Sequence, residues 1–370
     1  MRAGGRLLTT LALAALSLPA CSADEPAAGS GDATSPPAST ARPDGKSEAS
    51  SAAADPGPAD ATGPEVEPKE PEPTVRPVSV PGLAAQRHRG DRLALGAVRE
   101  RTAEYTSYDV TYRSRTSTAA RRGSYTITGV LNVPRGRGPF PAVVLAHGYI
   151  DPAIYVSGQG MTRERGYLAE RGYVAFHVDY RNHAGSDNDP RSGMHMRLGY
   201  SADVINAVEA LRSSPDVPVG DVALFGRSMG GGVILKALVA EPGLVQAAAP
   251  WASVSSLERE NYDRFIRPDP EDSTLRNRLS RRYGTPGQNP RFWRENSSRP
   301  YFDRITEPVL MVHGRFDDTC PPRWASATQR ALRQAGVTSE LEWYADGHAF
   351  GPAFNAAMRR TVQFFDRRLG

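Results

Sequence analysis

A serine framed by glycines, Gly226-Arg227-Ser228-Met229-Gly230, is the stretch of this 370-residue chain best suited to covalent chemistry. A serine hydroxyl is a weak nucleophile; it needs a base, and the base needs a third group to orient it. Two later stretches supply those types. His313-Gly314-Arg315-Phe316-Asp317-Asp318 follows the apolar run of residues 308–312, which places acids at the end of a strand. Asp317 is the expected orienting acid, with Asp318 its adjacent rival, and capping of the helix that follows is the alternative role for both. Ala345-Asp346-Gly347-His348 sets a histidine in a Gly-flanked loop, where a mobile base belongs. The order Ser228, Asp317, His348 is the Ser…Asp…His order of strand-turn-helix hydrolases. Backbone N–H groups of Met229, just past the serine, and of Tyr149, just past His147-Gly148, are the expected donors to a developing oxyanion.

The elements around these residues fit that chemistry. Residues 105–114 and 123–134 alternate polar and apolar and predict antiparallel edge strands. Residues 142–148, 173–180, 221–226, the run around 245–253, 308–314 and 339–347 predict further strands, mostly buried and parallel. Helical spacing falls between them, at 161–172, 198–214, 230–240, 324–336 and 358–369. Such alternation predicts an α/β chain, with a mostly parallel sheet covered on both faces. In this frame Ser228 sits on a sharp turn between strand 221–226 and the following helix, where a side chain at Gly226 or Gly230 would collide with a neighbour. Residues 253–300 break the alternation. They are rich in Arg, Pro and Asn with scattered aromatics, and predict a cap-like insertion over the C-terminal edge of the sheet.

The first 85 residues read differently. Arg2 and Arg6 precede a short apolar run ending at Leu18-Pro19-Ala20-Cys21, which resembles the lipobox of a bacterial lipoprotein signal (residues 1–21) with Cys21 as the lipidated residue; an ordinary cleaved signal is the alternative. Either implies export, in the first case to the outer face of the cell membrane. Residues 22–85 form a Pro/Ala/Ser/Glu-rich linker, with ten prolines and eleven acids against three bases between 22 and 73. That composition predicts disorder and an extended stalk. The chain as a whole carries +4, so residues 86–370 are strongly basic. The bases are almost all arginine and no nucleic-acid motif accompanies them, so no nucleic-acid partner is expected. Cys21 and Cys320 do not suggest a disulfide framework; Cys320, three residues past Asp317, reads as a small packing residue. His177 and His313 read as packing or turn residues and Asp179 as structural. His183 and His195 lack partners at metal-ligand spacing. No dinucleotide fingerprint or phosphate loop is present, so neither cofactor nor metal is expected.

From about Tyr125 onward the chain resembles an α/β-hydrolase-fold serine hydrolase, the catalytic domain of the prolyl oligopeptidase family, with dienelactone-hydrolase-like esterases as near relatives. The resemblance is carried by HGY (147–149), DYRNHAGSD (179–187), GRSMGGG (226–232), the stretch from Tyr283 through HGRFDD (313–318), and YADGHAF (344–350). It implies a catalytic domain over 86–370 that cleaves an acyl bond through an acyl-enzyme, with a small-molecule or peptide substrate. The family's β-propeller has no counterpart before Tyr125, so the fold and chemistry carry over better than the peptide specificity. A carboxylesterase for small esters or lactones is the first alternative; an inactive hydrolase-fold lipoprotein that only binds is the second.

Overall fold

The structure, a computed structural model, describes residues 75–271 and 273–370. The signal, Cys21 and most of the linker lie outside the described residues. The linker boundary at 85 moves upstream, because α1 (Val80–Ala84) is already packed. The Ser79 hydroxyl caps it by accepting from Gly82 N–H at 2.9 Å, and Val80 and Leu83 are buried in the main core.

Nine strands form one sheet: β1 (Arg87–Arg101), β2 (Tyr105–Ser117), β3 (Arg122–Pro134), β4 (Phe140–Ala146), β5 (Val174–Val178), β6 (Val219–Arg227), β7 (Ala247–Trp251), β8 (Val309–Gly314) and β9 (Ser339–Tyr344). Their order is β1-β2-β3-β5-β4-β6-β7-β8-β9. The pairs β1–β2, β2–β3 and β3–β5 are antiparallel, and β5–β4 and every later pair are parallel. The period-2 alternation of a strand separates two cores. In β4, Ala142, Val144 and Ala146 join one core while Val143 and Leu145 join the other. The first core is covered by α3 (Leu198–Arg212), α4 (Met229–Ala240) and α8 (Pro322–Gln334). The second is covered by α2 (Thr162–Ala169) and α9 (Phe354–Asp366). This is the mostly parallel sheet covered on both faces that the alternation predicts, and it is the α/β-hydrolase arrangement that the resemblance implies.

Two regions differ from the sequence reading. β1 was not expected: five arginines and three register shifts against β2 erase its alternation, and most of its outer half is exposed. Residues 253–300, to which the sequence reading assigns no elements, contain helices: α5 (Glu258–Asn261), a π-helical turn at Tyr262–Ile266, α6 (Ser273–Tyr283) and α7 (Pro290–Glu295). Tyr283 stacks on Phe292 at 4.2 Å and Tyr262 lies 4.6 Å from Trp293, so these four aromatics pack within the segment, whereas Phe265 meets Trp324 of α8 at 6.0 Å. Its first part does meet the C-terminal edge of the sheet, where the Arg264 guanidinium donates to the carbonyls of Asp318 and Thr319.

Candidate active site

β6 runs straight into α4 through Ser228, whose φ of 55° and ψ of −120° lie in a region that L-residues rarely occupy. Neighbouring backbone holds it there. Ser228 N–H donates to Trp251 C=O at 2.9 Å, and its own carbonyl accepts from Gly231 N–H at 3.0 Å and Val254 N–H at 3.2 Å. The flanking glycines are steric requirements. A Cβ on Gly226 would lie 2.3 Å from the Gly230 carbonyl oxygen, and one on Gly230 would lie 1.8 Å from that of Ala146 in β4. Strain of this kind persists only where the surroundings over-determine it, and it clusters at reactive sites.

The loops after β8 and β9 bring Asp317 and His348 together, with Nδ1 of the imidazole 2.9 Å from Asp317 Oδ2. The Asp317 side chain is fully buried, whereas that of His348 retains 21% of its exposure. Oδ1 of Asp317 accepts from the N–H groups of Thr319 at 3.0 Å and Cys320 at 2.8 Å, which fixes the carboxylate. His313 Nε2 donates to the Cys320 carbonyl at 2.8 Å and lies 3.3 Å from Asp317 Oδ2, so this turn histidine braces the acid loop. Asp318 is exposed and accepts from its neighbour Thr319, away from the imidazole. Cys320 is buried and its thiol meets Ser228, joining the acid loop to the elbow; burial pushes that thiol up to about 12, so it stays protonated.

On the other side of Ser228, the loop after β4 runs past the hydroxyl. A Cβ on Gly148 would stand 3.2 Å from Ser228 Cβ and 3.7 Å from Oγ, so only glycine fits without displacement. Tyr149 follows at 58% exposure, and Met229 opens α4 with its side chain buried. The N–H groups of a helix's first turn have no partner within the helix, so Met229 N–H is available to an anion. Beneath the loop His147 packs between aromatic rings, 4.4 Å from Tyr180 and 4.7 Å from Tyr155, and 5.4 Å from His177. Burial pushes His147 down to about 3, and burial likewise lowers His177 and His183. Asp179 anchors the same loop, accepting from Tyr155 OH (2.7 Å), Ser157 Oγ (2.6 Å) and Gly158 N–H (2.9 Å), and from Thr128 Oγ1 (2.7 Å) in β3. Burial alone would raise its carboxyl, but His177 and these donors hold it below the usual range.

Some residues that shape the site carry no sequence signal. Arg163 in α2 donates from Nη2 to Ala349 C=O at 2.8 Å and from Nη1 to Phe350 C=O at 3.0 Å, clasping the loop that carries His348. Arg227 pairs with the buried Glu164 at 3.3 Å and reaches the His348 carbonyl at 3.4 Å. Both contacts span long stretches of chain, so no local pattern could have pointed to them. Among the described residues no cluster of three or more His, Cys, Asp and Glu is placed to hold a metal ion.

Comparison with known proteins bears on family and fold. Residues 160–370 match the profile of the prolyl oligopeptidase family. A protein described as an uncharacterized peptidase, YtmA of Bacillus subtilis (strain 168), is 26% identical over 254 residues, 66% of this chain and 93% of that protein. An acetyl xylan esterase from Paenibacillus sp. R4 superimposes with a TM-score of 0.57 at 21% identity, over 78% of this chain and 92% of that one. An acylaminoacyl peptidase solved with Z-Gly-Gly-Phe-chloromethyl ketone superimposes with a TM-score of 0.51 at 16% identity, over 75% of this chain and 56% of that one. At these identities the two structures speak to the fold alone. The family match spans more than half of the sequence and includes Ser228, Asp317 and His348. The chain belongs to the prolyl oligopeptidase family and is a serine hydrolase, of the peptidase or esterase kind.

Proposed function

We propose that Ser228, His348 and Asp317 form a catalytic triad that hydrolyses an acyl bond through an acyl-enzyme. The Asp317–His348 hydrogen bond carries this reading: a buried, doubly anchored carboxylate holds Nδ1, which leaves Nε2 as the proton acceptor. Ser228 Oγ attacks the substrate carbonyl as its proton passes to His348 Nε2. The carbonyl oxygen takes the negative charge and is received by the N–H groups of Met229 and Tyr149. When the tetrahedral intermediate collapses, His348 returns the proton to the leaving group. Water then repeats the sequence on the acyl-enzyme, and the acid is released.

The preferred substrate class is a short peptide or peptide-like amide, in keeping with the family. A second reading, a small ester, is favoured by the likeness to an acetyl xylan esterase over 92% of that chain. Ratios of kcat/KM on aminoacyl 4-nitroanilides and on 4-nitrophenyl esters separate the two. For the triad, Ser228→Ala and His348→Ala each lower kcat by about 10³-fold or more, and the double variant loses little beyond either. A Ser228→Ala protein that keeps most of its activity overturns the assignment. We also propose, on the sequence alone, that Cys21 is lipidated and tethers the domain to the outer face of a membrane. Mass spectrometry of the mature N-terminus tests this, and an unmodified Cys21 counts against it.

A further inference from the structure

We infer that Arg197 is a specificity-determining residue that binds a carboxylate carried by the substrate beside Ser228, an inference that rests on the serine-hydrolase reading above. The Arg197 guanidinium lies over the two residues whose amides flank the serine. Its Cζ is 5.0 Å from the centre of the Tyr149 ring, and its Nη1 is 3.9 Å from Met229 Sδ. An aromatic face and a thioether hold a guanidinium in place without neutralising it.

Two other enclosed arginines near the site are met by carboxylates. Arg181 pairs with Asp203 at 2.8 Å, and Arg227 pairs with Glu164 at 3.3 Å. Arg197 is half-buried, yet among the described residues no carboxylate lies within 4 Å of it and no oxygen accepts a hydrogen bond from it. The planar fork of a guanidinium without an anionic partner matches a carboxylate.

The backbone adds a second, independent observation. Met196 and Arg197 are consecutive non-glycine residues in the left-handed region, at φ 53° and 54°. The turn is closed by Arg197 N–H donating to Ser192 C=O at 2.9 Å, and α3 starts at the next residue. Two adjacent residues in this region are retained where the surroundings impose them, as they do around functional side chains. Here they fix the origin of the side chain that overhangs Tyr149 and Met229.

The carboxylate can sit on the acyl side or on the leaving-group side of the scissile bond, and matched substrates distinguish these. Mono-4-nitrophenyl glutarate against 4-nitrophenyl valerate reads the acyl side; 4-carboxyphenyl valerate against phenyl valerate reads the leaving side. In one of the pairs the full-length protein should favour the anionic member in kcat/KM, and Arg197→Gln should lower that preference by about tenfold or more. Arg197→Glu should invert it, and Arg197→Lys, which keeps the charge but not the fork, should restore part of it. Preferences in both pairs that are the same in wild type, Arg197→Gln and Arg197→Glu overturn the inference. Fluorophosphonate labelling of Ser228 in the same proteins separates the two levels. Labelling retained with unchanged preferences defeats the role of Arg197 alone, whereas a wild-type protein that is neither labelled nor active defeats the hydrolase reading and this inference with it.

Discussion

The two sides of Ser228 are held in opposite ways. On the elbow side, position is set by exclusion: Gly226 and Gly230 lie so close to neighbouring backbone that a methyl group has no room, and one at Gly148 would press on Ser228. On the acid–base side, position is set by attraction: the imidazole donates to Asp317, and Arg163 and Arg227 donate to the carbonyls of residues 348–350. A close-packed backbone cannot give without disturbing the strands it joins. A loop held by polar contacts can adjust, as a base that must first accept and then return a proton requires. In the proposed triad Ser228 is therefore the fixed point and His348 its adjustable partner.

Substitution on the two sides should break this contrast in different ways. On the rigid side, Gly230→Ala drives a methyl group into the Ala146 carbonyl. It should cost about 3 kcal/mol or more of folding stability, read by urea denaturation, with activity lost as a consequence. On the adjustable side, Asp317→Asn should leave stability within about 2 kcal/mol while kcat falls by about 10³-fold to 10⁴-fold, because the imidazole loses its preferred tautomer. Asp318→Asn, on the exposed neighbour, should change kcat by less than about threefold; equal losses at the two positions would deny Asp317 its special role. Arg163→Ala should be milder, lowering kcat by about tenfold through a less well-placed His348, with a stability change near 1 kcal/mol. A Gly230→Ala protein as stable as the wild type, or an Arg163→Ala protein that unfolds, would reverse the comparison.

A pH dependence sharpens the view of the side that carries His147. Buried His147, His177 and His183 all bind a proton more weakly in the fold than their ordinary value of 6.5 implies. As pH falls through 6.5 the unfolded chain takes up protons before the folded one does. Stability is therefore full above pH 6.5 and declines below it, for His147 down to about pH 3, with a slope of up to about 1.4 kcal/mol per pH unit for each histidine. Denaturation curves at pH 7.0 and 5.5 should show the loss, and His177→Phe should reduce it. A midpoint unmoved between the two pH values would mean that these rings are not held neutral.

What could be read from the sequence follows the same division. The elbow was legible because its steric demand is local: Gly-x-Ser-x-Gly after an apolar run and before a helix leaves few other readings, and the glycines meet the neighbours anticipated for them. His348 and Asp317 were legible as loop residues in the right order after strands. Arg163 was not, since its partners lie 186 and 187 positions away in the chain. Arg197 was hidden for another reason: two left-handed residues without glycine or asparagine leave no mark in sequence. β1 was missed because its arginines and register shifts remove the alternation that marks a strand. The helices of 253–300 escaped because α6 carries four arginines over 273–283 and buries only Leu279.

The most direct test of the central claim is to treat the folded, full-length protein with a fluorophosphonate and map the adduct by peptide mass spectrometry. The account predicts one adduct, on Ser228, formed far more slowly after His348→Ala and absent after Ser228→Ala. An adduct on another serine, or none in protein shown to be folded, would contradict it.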